Sequence, residues 1–256
     1  MFPVLFSIGP VRVFTYGFLL ALAFLASMYM VGEEAKRRGL DPKKFYDLSF
    51  YGIVMAILGS RLLHVILEWD YFAANPVEIF ALWKGGLAFQ GGLVFGLATV
   101  VFLLYRYKLP LWASLDTMAL AMPLGQFIGR LGCFMAGCCY GKECNLPWAV
   151  TFTHPETLAI PNVPLHPTQL YESFLMLGVF FFLLRLRRRQ NFPGQILGAY
   201  LFLAGTVRFI VEFWRGDERG PVLFWDMAST QVIALVLAIG AGIFLYGRAR
   251  AAHHAE

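Results

Sequence analysis

Charge is what this sequence has least of. Only 14% of its 256 residues are Asp, Glu, Lys or Arg, against 59% hydrophobic residues and a mean hydropathy of +0.63. A soluble globular domain carries about 25% charged residues, so that class is excluded. Histidine is also scarce: of five, His253 and His254 lie at the C-terminal end, and His64, His154 and His166 form no helix-spaced pair. A bis-histidine haem protein is therefore disfavoured. The chain has no solenoid-length repeat, no low-complexity tract and no hydrophilic stretch of domain size. Its net charge of +5 does not point to nucleic acid, because the basic residues sit in short clusters between apolar runs. They read as determinants of membrane topology.

What is present is a series of seven apolar runs of membrane-spanning length, about 17–25 residues each. They cover about 13–31, 45–67, 86–105, 112–128, 168–184, 195–214 and 222–246. The reading is an all-α, polytopic membrane protein forming a single integral membrane domain. Residues 129–167 form its largest loop region, with turns or short strands among Pro147, Pro155, Pro161 and Pro164. Ala21-Leu22-Ala23 has the look of a signal-peptidase site, but the apolar run continues past it and no basic segment precedes it. An uncleaved first span is expected.

Lys36, Arg37, Arg38, Lys43, Lys44, Arg106, Lys108, Arg185, Arg187, Arg188, Arg189, Arg248 and Arg250 account for 13 of the 21 Lys and Arg residues. All 13 fall on one side of a seven-span topology, which should be the cytoplasm. The N-terminus is then outside and the C-terminus inside. The remainder are Arg12, Arg61, Lys84, Arg130, Lys142, Arg208, Arg215 and Arg219. Arg61 and Arg208 lie within apolar spans, and Arg130 lies at the end of one. An intramembrane cation is costly and marks function by default.

Arg208 and Glu212 are four apart, and Arg215 is seven from Arg208, so all three share one helix face. A structural ion pair with a snorkelling Arg215 is the plain reading of that face. A pocket for an anionic lipid headgroup is the other, since several guanidiniums gathered near one interface match phosphate oxygens. Gly85-Gly86-Leu87-Ala88-Phe89-Gln90-Gly91-Gly92 reads as close helix packing or as backbone approach to a ligand. Leu165-His166-Pro167-Thr168-Gln169-Leu170-Tyr171-Glu172 is denser in polar groups than a helix entrance needs. Glu172 there can pair with one of the arginines.

Cys133, Cys138, Cys139 and Cys144 follow a C-x4-C-C-x4-C order. That is not a usual zinc spacing, and the adjacent pair is awkward for tetrahedral ligation. Disulfides are expected first, free thiols second and a metal last.

Together these stretches resemble the prolipoprotein diacylglyceryl transferases of bacterial inner membranes. The resemblance rests on Tyr16-Gly17, Gly59-Ser60-Arg61-Leu62 and the Gly-Gly-Leu-Ala-Phe-x-Gly-Gly block. It continues through Asp116, Pro123, Gly129-Arg130-Leu131-Gly132-x-Phe134 and Gly141. His166-Pro167-Thr168-Gln169-Leu170-Tyr171-Glu172 and Arg208-Phe209-Ile210-Val211-Glu212-Phe213-x-Arg215 complete it.

The resemblance implies transfer of the diacylglyceryl group of phosphatidylglycerol to the lipobox cysteine of a preprolipoprotein. The products are a thioether and glycerol phosphate, formed at the outer face of the inner membrane without a cofactor or metal. It implies Arg130, Arg208 and Glu212 as catalytic residues. Tyr16, Arg61, Gln90, Gly91, Gly92, Gly141, His166, Gln169, Glu172 and Arg215 are the substrate-binding set.

Four positions depart from the family pattern. Gln90 stands where a histidine is common, Cys133 where asparagine is, Cys138 where glutamate is and Ala204 where tyrosine is. Glutamine cannot act as a base. Three readings remain: arginine electrostatics alone activate the thiol, another residue such as His166 is the base, or the chain is a divergent paralogue of altered activity. The first is preferred, because a thiol of pKa near 8.5 yields thiolate readily in a positive pocket. The competing classes are a non-catalytic binder or transporter of anionic lipid, and a redox protein using the cysteines with quinone or haem.

Overall fold

Apolar runs this long can satisfy their backbone in a bilayer only as helices, and the computed structural model builds them so. It describes residues 2–8, 11–81, 85–217 and 228–253. Lys84, Arg219 and residues 222–227 of the expected seventh span lie outside the described residues. Among those described, seven helices are long and apolar enough to cross a membrane. They are α1 (Thr15–Arg37), α2 (Pro42–Leu67), α4 (Phe89–Arg106), α5 (Leu111–Ala136), α6 (Thr168–Leu186), α7 (Gln195–Glu212) and α8 (Ser229–His253). A short α3 (Trp69–Ala74) follows α2.

Several boundaries differ from the sequence reading. Val13 and Phe14 belong not to the first span but to a hairpin of β1 (Val4–Ile8) and β2 (Val11–Phe14). Helix α5 continues eight residues past the expected end at Ile128. Arg130 and Cys133 are therefore helical, not part of the loop. Leu131, Phe134 and Met135 extend the apolar pattern, and Arg130 finds a carboxylate partner on α6, so nothing forces the helix to stop there.

The chain divides into two compact units, residues 1–30 with 115–256 and residues 31–114. In the first, α5, α6 and α7 share a core that includes Leu120, Met176, Leu183, Ile196 and Val211. Buried Asp116 caps the start of α7, its carboxylate accepting from Gly194 N at 2.7 Å, Leu197 N at 2.8 Å and Gln190 Nε2 at 2.6 Å. The loop after α5 has its own small core of Phe152, Ala159 and Leu165, against which Phe134 packs. There β3 (Val150–Thr151) pairs antiparallel with β4 (Pro164–Leu165).

In the second unit α2 and α4 approach through small residues, the usual way membrane helices gain packing energy. A Cβ on Gly91 would run into the Gly59 carbonyl oxygen, and one on Gly59 would lie 2.7 Å from the Gly91 oxygen. Arg61, buried on α2, donates to the carbonyls of Ile79 (2.9 Å), Glu78 (2.5 Å), Gly85 (2.7 Å) and Gly86 (3.0 Å). It pins the connection between α3 and α4 back onto α2.

Candidate active site

The polar residues at one end of α5, α6 and α7 converge on a single carboxylate. Helix α5 contributes Arg130 from its last turns, α6 contributes Glu172 from its first, and α7 contributes Arg208 and Glu212 from its last. Arg215 follows just beyond α7. Arg130 Nη2 lies 2.7 Å from Glu172 Oε1, while Arg208 Nη1 and Arg215 Nη1 stand 3.6 and 3.8 Å from Glu172 Oε2.

Two further acids hold the outer sides of these arginines. Glu212 Oε2 binds Arg208 Nη2 at 2.6 Å, and Glu212 Oε1 accepts from Thr230 Oγ1 at 2.7 Å. Asp217 takes Arg215 as a fork, accepting from Nε and Nη2 at 3.0 Å each. Burial raises the Asp217 carboxyl above its ordinary value, and Arg215 opposes that.

Three guanidiniums thus face one carboxylate, which touches only Arg130 closely. Arg208 Nη1 and Glu172 Oε2 are buried and have no hydrogen-bond partner among the described residues. A buried guanidinium N–H left without a hydrogen bond is costly in a folded protein. Anionic oxygens are the acceptors it suits best, because planar forks bind phosphate at two points.

A backbone junction closes the wall beside this network. Gly141 N donates to His166 O (3.0 Å), His166 N to Lys142 O (2.9 Å), Lys142 N to Trp214 O (2.8 Å) and Gly216 N to Tyr140 O (3.2 Å). A Cβ on Gly141 would lie 2.6 Å from the His166 oxygen and 2.7 Å from the Trp214 oxygen, so only glycine fits. Gln169 Nε2 donates to Cys138 O at 2.8 Å, and Thr168 Oγ1 to Cys139 O at 2.9 Å. Tyr171 Oη accepts from Trp148 Nε1 at 2.8 Å and lies 3.2 Å from His166 Nδ1.

The structure gathers most of the expected site in the first unit: Arg130, Arg208, Glu212, Glu172 and Arg215 in one network, with Gly141, His166 and Gln169 beside it. Tyr16, on the first turn of α1, stands next to Gly132 and within electrostatic reach of Arg130 and the cysteines. Arg61, Gln90, Gly91 and Gly92 lie in the second unit. Arg61 is occupied by backbone carbonyls, Gly91 and Gly92 by the contact with α2, and Gln90 is exposed on the first turn of α4. Asp217 and Thr230 were not anticipated. Asp217 was legible as an acid two residues after an interfacial arginine, whereas nothing in the sequence ties Thr230 to Glu212.

All four cysteines are free thiols, so the disulfides expected first are not formed. The sulfurs of Cys133, Cys138 and Cys139 lie within 4.8 Å of one another. Hydrogen bonds from Cys133 and Cys138 hold the Cys139 thiol well below the usual thiol range, aided by Arg215 and Arg130 and opposed by burial. Cys138, donating to its neighbours, is held well above it.

Residues 3–247 match the model of the family described as prolipoprotein diacylglyceryl transferase. The chain belongs to that family. Among curated relatives, the phosphatidylglycerol–prolipoprotein diacylglyceryl transferase of Clostridium tetani is 35% identical over 246 residues, covering 96% of this chain and 97% of its own. The enzyme of the same name from Aeromonas salmonicida is 34% identical, covering 95% and 89%, and that of Clostridioides difficile 31%, covering 93% and 91%. Of this diacylglyceryl transferase family member's four departures, Cys133 and Cys138 stand beside the arginine network, Gln90 is on α4 and Ala204 is in the middle of α7.

Proposed function

We propose that this chain transfers the diacylglyceryl group of phosphatidylglycerol to the lipobox cysteine of preprolipoproteins, leaving a thioether and glycerol phosphate. The observation that carries this reading is the convergence of Arg130, Arg208 and Arg215 on Glu172. In the reaction a thiolate attacks a glycerol carbon and a phosphate oxygen leaves with the bonding electrons. Charge grows on phosphate oxygens, and donors already aimed there stabilise it without reorganising. Arg130 and Arg208 serve as those donors. Glu212 orients Arg208, Glu172 spaces the three guanidiniums, and Asp217 fixes Arg215.

The relatives' names support these substrates, and the seven apolar helices support a multi-pass membrane protein. We place it in the bacterial inner membrane, with its site toward the outer face, on the family resemblance and the one-sided distribution of Lys and Arg among the loops. A non-catalytic lipid binder would use the same arginines but has no observation of its own in its favour.

The test incubates purified protein with phosphatidylglycerol and a lipobox peptide. A mass gain of one diacylglyceryl on the peptide cysteine, with release of glycerol phosphate, is expected. Lipid binding without that gain rejects the transferase reading.

A further inference from the structure

We propose that Cys133, Cys138 and Cys139 form a zinc site with an open fourth position, where the acceptor cysteine binds as its thiolate. This inference rests on the transferase reading and says how that transferase obtains its nucleophile.

The sequence spacing argued against a metal because adjacent cysteines rarely share one ion. The fold removes that objection. Cys133 lies on the last turns of α5, and Cys138 N returns to Cys133 O at 3.2 Å. Gly137 (φ +77°) and Cys139 (φ +64°) are both left-handed, which curls the short loop over the helix end. Gln169 and Thr168 on α6 then anchor the carbonyls of Cys138 and Cys139.

The three sulfurs end within 4.8 Å of one another. Zn–S bonds of about 2.3 Å at tetrahedral angles place sulfurs about 3.8 Å apart, so closure needs only small side-chain rotations. Among the described residues no fourth His, Cys, Asp or Glu atom joins the group. Three protein ligands and one open position is the pattern of a catalytic zinc, whereas a structural zinc is closed by four. Thiolate ligands select soft or borderline cations, and zinc among them is redox-inert.

Such a site would add to what the arginines do for the acceptor thiol. Gln90 cannot take a proton, and a free thiol of pKa about 8.5 is only about 3% ionised at pH 7. A thiol coordinated to zinc is deprotonated outright. On binding, the acceptor R–SH gives its proton to solvent and its sulfur to zinc. That sulfur then forms a C–S bond to the glycerol carbon as the C–O bond to phosphate breaks. The electron pair leaves on the phosphate oxygen, facing the arginines. Zn²⁺ with three thiolates carries one negative charge, and Arg130 and Arg215 lie close enough to offset it.

The test uses the full chain purified in detergent under reducing conditions. Elemental analysis should find one zinc per chain, and X-ray absorption a shell of three sulfurs. Adding a lipobox peptide should bring a fourth sulfur and release one proton; the same peptide with serine in place of cysteine should do neither. Cys138→Ser and Cys139→Ser should lose the metal, and Cys144→Ser should keep it. Stripping zinc should slow transfer at pH 7 by about tenfold or more, restored on readdition. This is below the full gain in thiolate because a bound thiolate is a weaker nucleophile. No bound zinc, a disulfide within the triad, or a shell unchanged by the cysteine peptide overturns the site, even if the serine variants fail to fold. Transfer that persists undiminished without metal overturns it and leaves the transferase standing. A fourth sulfur bound with no mass gain on the peptide rejects the transferase reading instead.

Discussion

Glu172 meets three guanidiniums and can hold only one of them at contact distance, 2.7 Å from Arg130. Glu172, Glu212 and Asp217 match the three arginines in number. What favours a substrate site over a structural network is that Arg208 Nη1 and Glu172 Oε2 make no hydrogen bond among the described residues. Arg130→Ala and Arg208→Ala should each lower kcat/KM for diacylglyceryl transfer by about 10²–10³-fold, the usual cost of removing one fixed donor to developing charge. Arg208→Lys should not restore the rate, since an ammonium cannot bind Glu212 and a phosphate oxygen as a fork. Gln90→Ala should stay within a few fold of wild type. Mass spectrometry of the lipidated peptide measures all four, and full activity in Arg130→Ala rejects the arginine mechanism. The pairing of Arg208 with Glu212 was legible in the sequence, because i, i+4 spacing places them on one face. Glu172 was expected to pair with one of the arginines, but that Arg130 is the one was not legible, since it depends on how two helices separated by a 31-residue loop pack together.

Helices carry these residues to the site, and small residues decide how closely the helices approach. Gly91→Ala places a methyl against the Gly59 carbonyl, a backbone atom that cannot step aside. Overpacking of this kind costs about 1–3 kcal/mol. Gly178 on α6 and Gly240 on α8 have nothing within 4 Å of an added Cβ, so Ala there should be neutral or stabilising by up to about 1 kcal/mol. Thermal melts in detergent should thus show Gly91→Ala unfolding earlier than wild type and Gly178→Ala and Gly240→Ala no earlier. Equal melting of all three would contradict the close α2–α4 contact. The number and order of the seven spanning helices were legible from apolar run length alone. Their ends were less so: α5 outran its expected stop because Arg130 is neutralised across the helix interface, and run length is blind to partners. The two strand pairs went unplaced because strands of two to five residues leave no clear periodic signal.

At the scale of the whole molecule the question is which way the site faces. Within the first unit, Arg248 of α8 donates to Pro193 O at 3.0 Å, placing the basic end of α8 beside the turn after Arg185, Arg187, Arg188 and Arg189. Glu172 and Arg208 sit at the opposite ends of α6 and α7. At 1.5 Å per residue, a helix of the length of α6 spans about 28 Å, close to the thickness of the hydrocarbon core. Within this unit the arginine network therefore lies at the opposite end of the helices from Arg185, Arg187, Arg188, Arg189 and Arg248. We propose that this site opens outward, because basic loops favour the cytoplasm and a translocated lipoprotein precursor would present its cysteine on the outer face. A fluorescent protein fused after Arg250 should fluoresce, and alkaline phosphatase at the same point should be inactive. Phosphatase fused after Asn162, in the loop beside the site, should be active. The reverse pattern would place the arginines in the cytoplasm, on the wrong side for a translocated precursor, and the transferase reading would have to be abandoned however well the pocket binds phosphate.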